Sequence, residues 1–231
     1  MFPVGEAAKS KAVWRQTFKH VVSQVPQERI RRQSLAATET LQGLSVYKEA
    51  KSISIFLSMP NAELQTDDIV LHALRSGKHV FVPFITRSPP VMDMLQLRDE
   101  EDFRSLKPDK WGIPSLDAQT VNERINYLGF KGLKEQNATS QHSGILDLVL
   151  MPAVAFDQEF ERLGHGKGYY DRFLTSYCER VHGDGSSFRL PYLIGMALNE
   201  QILHAPHKLP AESWDVKVDA ILVAGDFRSR S

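Results

Sequence analysis

Ten consecutive residues combine the side chains and backbone that hold a polyanion: Arg162-Leu163-Gly164-His165-Gly166-Lys167-Gly168-Tyr169-Tyr170-Asp171. Glycine adopts backbone conformations that other residues avoid and lets another group approach the main chain. Successive N–H groups in such a loop make an anion-binding concavity. A helix starting near Tyr169 adds its positive pole. Arg162 offers a planar fork and Lys167 a mobile point charge, while Asp171 is placed to hold magnesium beside a phosphate. Tyr169 and Tyr170 point apart on a helix, so one can pack in the core while the other faces a ligand. His165 either donates to a phosphate or, as alternating loop positions often do, points to solvent. The G-x-G-x-G spacing matches neither the dinucleotide fingerprint nor the Walker loop. The competing reading is an ordinary glycine-rich turn with exposed cations and a helix-start acid.

Other candidates lie far away in the chain. Asp215 and Asp219, in Trp214-Asp215-Val216-Lys217-Val218-Asp219, form a second acidic cluster. One of them could complete a metal site, and turn chemistry before a strand is the alternative. Lys11, Arg15 and Lys19 recur every four residues and line one helix face. On the residues alone this stripe reads as a solvated surface. Cys178, the single cysteine, reads as a small packed side chain. The remaining histidines lack metal-ligand spacing, and no G-x-S-x-G elbow supports serine-hydrolase chemistry.

The elements that must position these residues follow from periodicity. Trp14, Phe18, Val22 and Val25 mark an amphipathic helix over 7–25. Pro26 opens a second helix reaching about Leu44. Ile53 to Leu57 reads as a strand, Thr66-Asp67-Asp68 as the cap of a helix ending at Gly77, and Val80 to Phe84 as the next strand. Val91 to Leu97 alternates weakly, as a more exposed strand would. The stretch 99–144 is less regular, with a loop at Trp111-Gly112-Ile113-Pro114. Ile145 to Leu150 is the clearest buried strand, and it leads into the glycine run. A helix from Tyr169 to Val181 and strands Tyr192 to Leu198 and Asp219 to Val223 complete the series. This order predicts an α/β fold: a twisted, mostly parallel sheet with helices on both faces, doubly wound and Rossmann-like. Ligands in such sheets settle beyond the carboxyl ends of the strands, where the glycine run is expected. A single domain over 1–231 is expected, with surface insertions near 125–144 and 182–190.

The chain has 231 residues, with 28 basic and 28 acidic side chains that cancel. No basic stripe dominates, which argues against extended nucleic-acid binding. No apolar run reaches membrane-spanning length, and no secretory signal precedes the first helix. One cysteine suits a reducing compartment. A cytoplasmic protein acting on a small anionic molecule is the expectation, with mitochondria as a second possibility.

The glycine run, preceded by Met151-Pro152 and Phe156-Asp157, closely resembles the signature of the 5-formyltetrahydrofolate cyclo-ligase family. Lys11-Ala12-Val13-Trp14-Arg15, Ile55-Phe56-Leu57-Ser58-Met59, Glu63-Leu64-Gln65-Thr66, Met92-Asp93-Met94, Trp111 to Pro114 and Trp214 to Asp219 extend the resemblance in order. It implies ATP-dependent closure of 5-formyltetrahydrofolate to 5,10-methenyltetrahydrofolate, with ADP and phosphate released. It further implies that Lys11, Arg15, Arg162, Gly164, His165, Gly166, Lys167, Gly168, Tyr169 and Tyr170 contact ATP. Arg15, Leu57, Glu63 and the loop from His165 to Tyr169 would meet the folate. Asp171 and Asp215 would hold Mg2+, and no covalent nucleophile is implied. A monomer binding two small molecules is the expected working form. The rival readings are a sugar-phosphate isomerase or acyl-CoA transferase on a similar sheet, or a folate- or nucleotide-binding protein without turnover.

Overall fold

The structure, a computed structural model, describes residue 5 and residues 10–86, 88–133, 146–181 and 190–230. The chain opens with three helices, α1 (Lys11–Ser23), α2 (Gln27–Gly43) and α3 (Ser45–Glu49). Strand β1 (Ser52–Ile55), helix α4 (Asp67–Arg75) and strands β2 (His79–Ile85) and β3 (Met92–Gln96) follow. Helix α5 (Glu100–Arg104) and the short pair β4 (Lys107–Pro108) and β5 (Pro114–Ser115) occupy the middle of the chain. Next come β6 (Leu148–Met151), β7 (Ala155–Asp157), β8 (Arg162–Leu163) and α6 (Tyr169–Val181). The chain closes with β9 (Tyr192–Ala197), β10 (Ile202–Leu203), β11 (Ala220–Val223) and β12 (Asp226–Ser229).

Seven strands form the main sheet in the order β12-β11-β9-β6-β1-β2-β3. The five inner strands are parallel, and β3 and β12 pair antiparallel at the two edges. Alternation along the strands sorts their side chains into two cores. Ile53, Ile55, Val80, Val82, Leu148, Leu150, Ile194, Met196, Ala220 and Leu222 face α2, α3 and α4. Phe81, Val149, Met151, Leu193, Ile221 and Val223 face α6 through Phe173, Leu174 and Tyr177. Helices therefore cover both faces, as the doubly wound pattern requires. The parallel strands run in the spatial order β2-β1-β6-β9-β11, so the winding reverses between β1 and β6. That switch point leaves a crevice beyond the carboxyl ends of β1 and β6.

Several local expectations change. Thr66 does not cap α4; it is buried, and its hydroxyl donates to the Phe56 carbonyl at 2.7 Å. This bond fixes the chain leaving β1. The strand expected to be exposed, β3, is almost wholly buried, because it pairs with β2 and lies under α6. The second helix ends at Leu44 as expected, and the extended backbone there separates α2 from the short α3, which was not foreseen. The expected insertions near 125–144 and 182–190 fall largely outside the described residues. At the start of the first, Tyr127 is a core residue stacked on Tyr177 and edge-on to Phe173.

A second, three-stranded sheet, β10-β7-β8, was not foreseen and matters most. It inserts between β6 and the glycine run. On one side Phe156 reaches the main sheet at Gly195, where an added Cβ would fall 2.4 Å from the ring. On the other side Val154, Ala155, Leu163, Leu203 and Leu209 form a bed for Trp14 and Phe18 of α1.

Candidate active site

The glycine loop joins β8 to α6. Its start is tied to the carboxyl edge of the main sheet, since the Val154 N–H donates to the Leu163 carbonyl at 2.8 Å. The loop thus lies beside β6, although a hairpin intervenes in the sequence. Gly166 and Gly168 have φ of 91° and 60°, which side chains with a Cβ disfavour. The need at Gly166 is double, because an added Cβ would sit 3.2 Å from the Arg15 guanidinium carbon.

α1 supplies the other wall. With Trp14 and Phe18 each 1% exposed against the small sheet, its opposite side faces the loop. Arg15 Nε donates to the Gly164 carbonyl at 2.7 Å. Lys11 Nζ pairs with Asp215 Oδ2 at 2.5 Å and lies 3.6 Å from Glu212. The solvated-surface reading therefore fails for Lys11 and Arg15: both are half-buried and bonded across the fold. Lys19 is exposed.

Arg162, its side chain only 5% exposed, donates to Asp171 Oδ1 at 2.7 Å and lies over the Tyr170 ring. Without Asp171 it would be a buried unpaired cation, a state that costs about 3–5 kcal/mol. Arg162 Nε and the Tyr170 hydroxyl are both buried with no hydrogen-bond partner among the described residues. Burial raises the Tyr170 pKa; Arg162 lowers it and Glu63 raises it, so the phenol stays protonated and the two residues sense each other. His165 is exposed at one edge, yet surrounding protein atoms lower its pKa, and Lys19, Arg15 and Arg162 push it further down. Lys167 is exposed, and its carbonyl accepts from Arg172 at 2.7 Å. Arg172 also covers the Tyr169 ring.

Glu63 comes from the segment after β1. It is buried, and its Oε2 accepts from the Met59 N–H at 2.8 Å. Burial raises its pKa to about 7, against the pull of that hydrogen bond. Gln65 clamps the same loop by donating to the carbonyls of Met59 and Glu63. Pro60 packs against Gly112, which leaves no room there for a Cβ. Leu57 is buried beneath this loop as part of the main core. Glu63, from the segment after β1, lies within electrostatic range of Tyr170 at the start of α6.

Two carboxylates share one corner. Asp171 Oδ1 also accepts from the Val216 N–H at 3.3 Å, next in sequence to Asp215. Asp215 Oδ2 accepts from the Glu212 N–H at 2.8 Å. Each carboxylate commits one oxygen and leaves the other without a partner among the described residues. No group of three or more His, Cys, Asp or Glu among the described residues makes a metal cage. The corner fits an ion that takes two carboxylate oxygens and completes its shell from phosphate and water, as magnesium commonly does. Asp219 is not part of it. Its Oδ2 accepts from the Leu193 N–H at 2.9 Å at the amino end of β9, remote from this corner.

Arg172, Gln65 and Thr66 were not foreseen as parts of this frame. Arg172 lies one position past the run and carried a readable signal, its charge. The other two lie in the resembling segment Glu63 to Thr66, but they act through backbone carbonyls, a role that side-chain type alone does not announce.

A family model described as the 5-formyltetrahydrofolate cyclo-ligase family matches residues 7–224. The chain belongs to the 5-formyltetrahydrofolate cyclo-ligase family. A probable 5-formyltetrahydrofolate cyclo-ligase of Caenorhabditis elegans is 33% identical over 220 residues, covering 94% of this chain and 93% of the relative. The 5-formyltetrahydrofolate cyclo-ligase of Mus musculus is 32% identical, covering 85% and 84%. The NMR structure of Aquifex aeolicus 5,10-methenyltetrahydrofolate synthetase superposes with a TM-score of 0.66 at 23% identity, covering 95% of this chain and 92% of that one. At that identity the likeness supports the α/β architecture of the cyclo-ligase family member described above.

Proposed function

We propose that the chain closes the ring of 5-formyltetrahydrofolate to give 5,10-methenyltetrahydrofolate, using ATP. One observation carries this reading beyond family membership: Arg162 Nε and the Tyr170 hydroxyl are buried donors without a hydrogen-bond partner among the described residues, and Tyr170 is in electrostatic range of the buried Glu63. Unmet buried donors are costly unless a ligand meets them. They flank the crevice in which the folate would lie, between Leu57 and Glu63 on one side and the glycine loop on the other.

In this reading the loop from Gly164 to Gly168, with Lys11, Arg15 and Lys167, cradles the triphosphate. Asp171 and Asp215 would hold magnesium, which neutralises phosphate charge when bound. The formyl oxygen attacks the γ-phosphorus, and ADP leaves. N10 then attacks the activated carbon and loses its proton, and phosphate departs with the C–O electron pair. Phosphoryl transfer asks for positioned cations more than for a covalent residue. Arg162 and Arg15 offset charge on the moving group, and the neutral Tyr170 phenol donates a hydrogen bond. Glu63, with its pKa near 7, is able to hold or accept a proton at its free oxygen. Residues of one chain supply every contact named, so a monomer is the proposed working unit. The single cysteine supports a reducing compartment, and cytoplasm is the proposed location.

The test is direct. Purified protein, 5-formyltetrahydrofolate and magnesium-ATP should yield methenyl product, followed by its near-ultraviolet absorbance, with one ADP per ring closed. Folded protein that makes no product sinks the proposal, and product formed without ATP sinks the phosphorylation step.

A further inference from the structure

α1 carries a third cation on its functional face. Lys19 follows Arg15 by four residues, as Arg15 follows Lys11. The row is about 12 Å long at 1.5 Å per residue. Trp14 and Phe18 are buried on the small sheet and fix the rotation of the helix, so the row cannot turn away. Its first member bonds Asp215, and its second bonds the Gly164 carbonyl. The third stands one turn beyond Arg15, whose guanidinium lies against Gly166 next to His165, and its charge helps hold the imidazole pKa down.

Lys19 has no ionic partner among the described residues. Among the described residues, the charges that push the His165 pKa down are Lys19 and Arg15 from α1 and Arg162 from β8, all cationic. The acid bonded to this group is Asp171, and it is committed to Arg162. A chain with equal numbers of acids and bases has gathered a local excess of positive charge. Such a patch attracts an anion. The row also has a direction. Beyond its Lys19 end the chain passes to Gln27, whose amide donates to the Pro60 carbonyl at 3.1 Å in the loop that holds Glu63. Lys19 therefore lies at the end away from the Asp171–Asp215 corner.

We infer that Lys19, with His165 beside it, binds an anionic oxygen of a ligand at the outer end of the site. This rests on the folate reading above. Its position favours the carboxylates at the glutamyl end of the folate; a nucleotide phosphate is the other source of the same chemistry.

The test uses the full chain and its Lys19→Met and Lys19→Arg variants, with binding of 5-formyltetrahydrofolate and of magnesium-ADP measured separately by calorimetry, without turnover. Lys19→Met should weaken one ligand about two- to fivefold, the range of an exposed ion pair. Lys19→Arg should restore it, and the difference should vanish near about 1 M salt, where charges are screened within about 3 Å. Whichever ligand weakens identifies the source. If wild type binds both ligands and Lys19→Met binds both equally well, this inference is wrong and the folate reading stands. If wild type binds neither, both fall.

Discussion

Glu63 shows how a single side chain can oppose stability for the sake of a site. Its folded pKa of about 7 exceeds the ordinary 4.5, so the native state holds a proton that the unfolded chain gives up. Its favourable contribution is therefore complete below about 4.5 and is lost as pH rises through about 7. Above that range the penalty approaches an upper bound of about 3 kcal/mol. Glu63→Gln keeps an acceptor for the Met59 N–H but never ionises. The variant should match wild type in urea midpoint near about pH 4 and exceed it near about pH 8, while kcat/KM falls. A pH-independent difference between the two midpoints would mean that Glu63 titrates normally. Asp171 has the opposite balance: its charge holds Arg162 in place, so function and stability cannot be separated cleanly there.

α1 is attached to the fold by one face and, in the proposed function, serves the ligand with the other. Trp14 and Phe18 carry the attachment, and Lys11 and Arg15 the service. Removing a buried Trp side chain costs about 3–5 kcal/mol. Trp14→Ala should therefore loosen α1 before the main sheet. Hydrogen exchange should show α1 amides losing protection while those of β6 and β9 keep theirs, and nucleotide affinity should fall. Uniform loss of protection would mean that the helix is integral to the core. The helix itself was legible from its apolar spacing, and so were the parallel strands, as continuous apolar runs, and α6, as a thirteen-residue helix. The strands β7, β8 and β10 were not, since two or three residues carry no period. Without them the stripe of Lys11 and Arg15 had nothing to face and read as solvent surface. The pairing of Arg162 with Asp171 was equally hidden, although each residue had been singled out, because spacing does not say which charges meet.

The proposed ligand groups come from distant parts of the chain: α1, the segment after β1, the loop after β8, and the stretch before β11. Such a site should tie the fold together when filled. A ligand at about 100 times its dissociation constant stabilises by about 2.7 kcal/mol. For a chain of this size that corresponds to a rise in Tm of roughly 5–10 °C. Magnesium-ATP and 5-formyltetrahydrofolate should each produce such a rise, and a chelator should diminish the nucleotide effect. A comparable rise with coenzyme A or a sugar phosphate, and none with folate, would point to a different chemistry.

Gly195 lies on β9 and touches neither the loop nor α1, yet both depend on it. The Phe156 ring rests on its bare backbone, closer than any methyl group allows. Phe156 pairs with Arg162 across β7 and β8, two residues before the loop begins. A change as slight as alanine at this floor would lift the hairpin like a shim under a hinge. The loop and the helix bedded on it would move together, misaiming cations whose own residues were untouched.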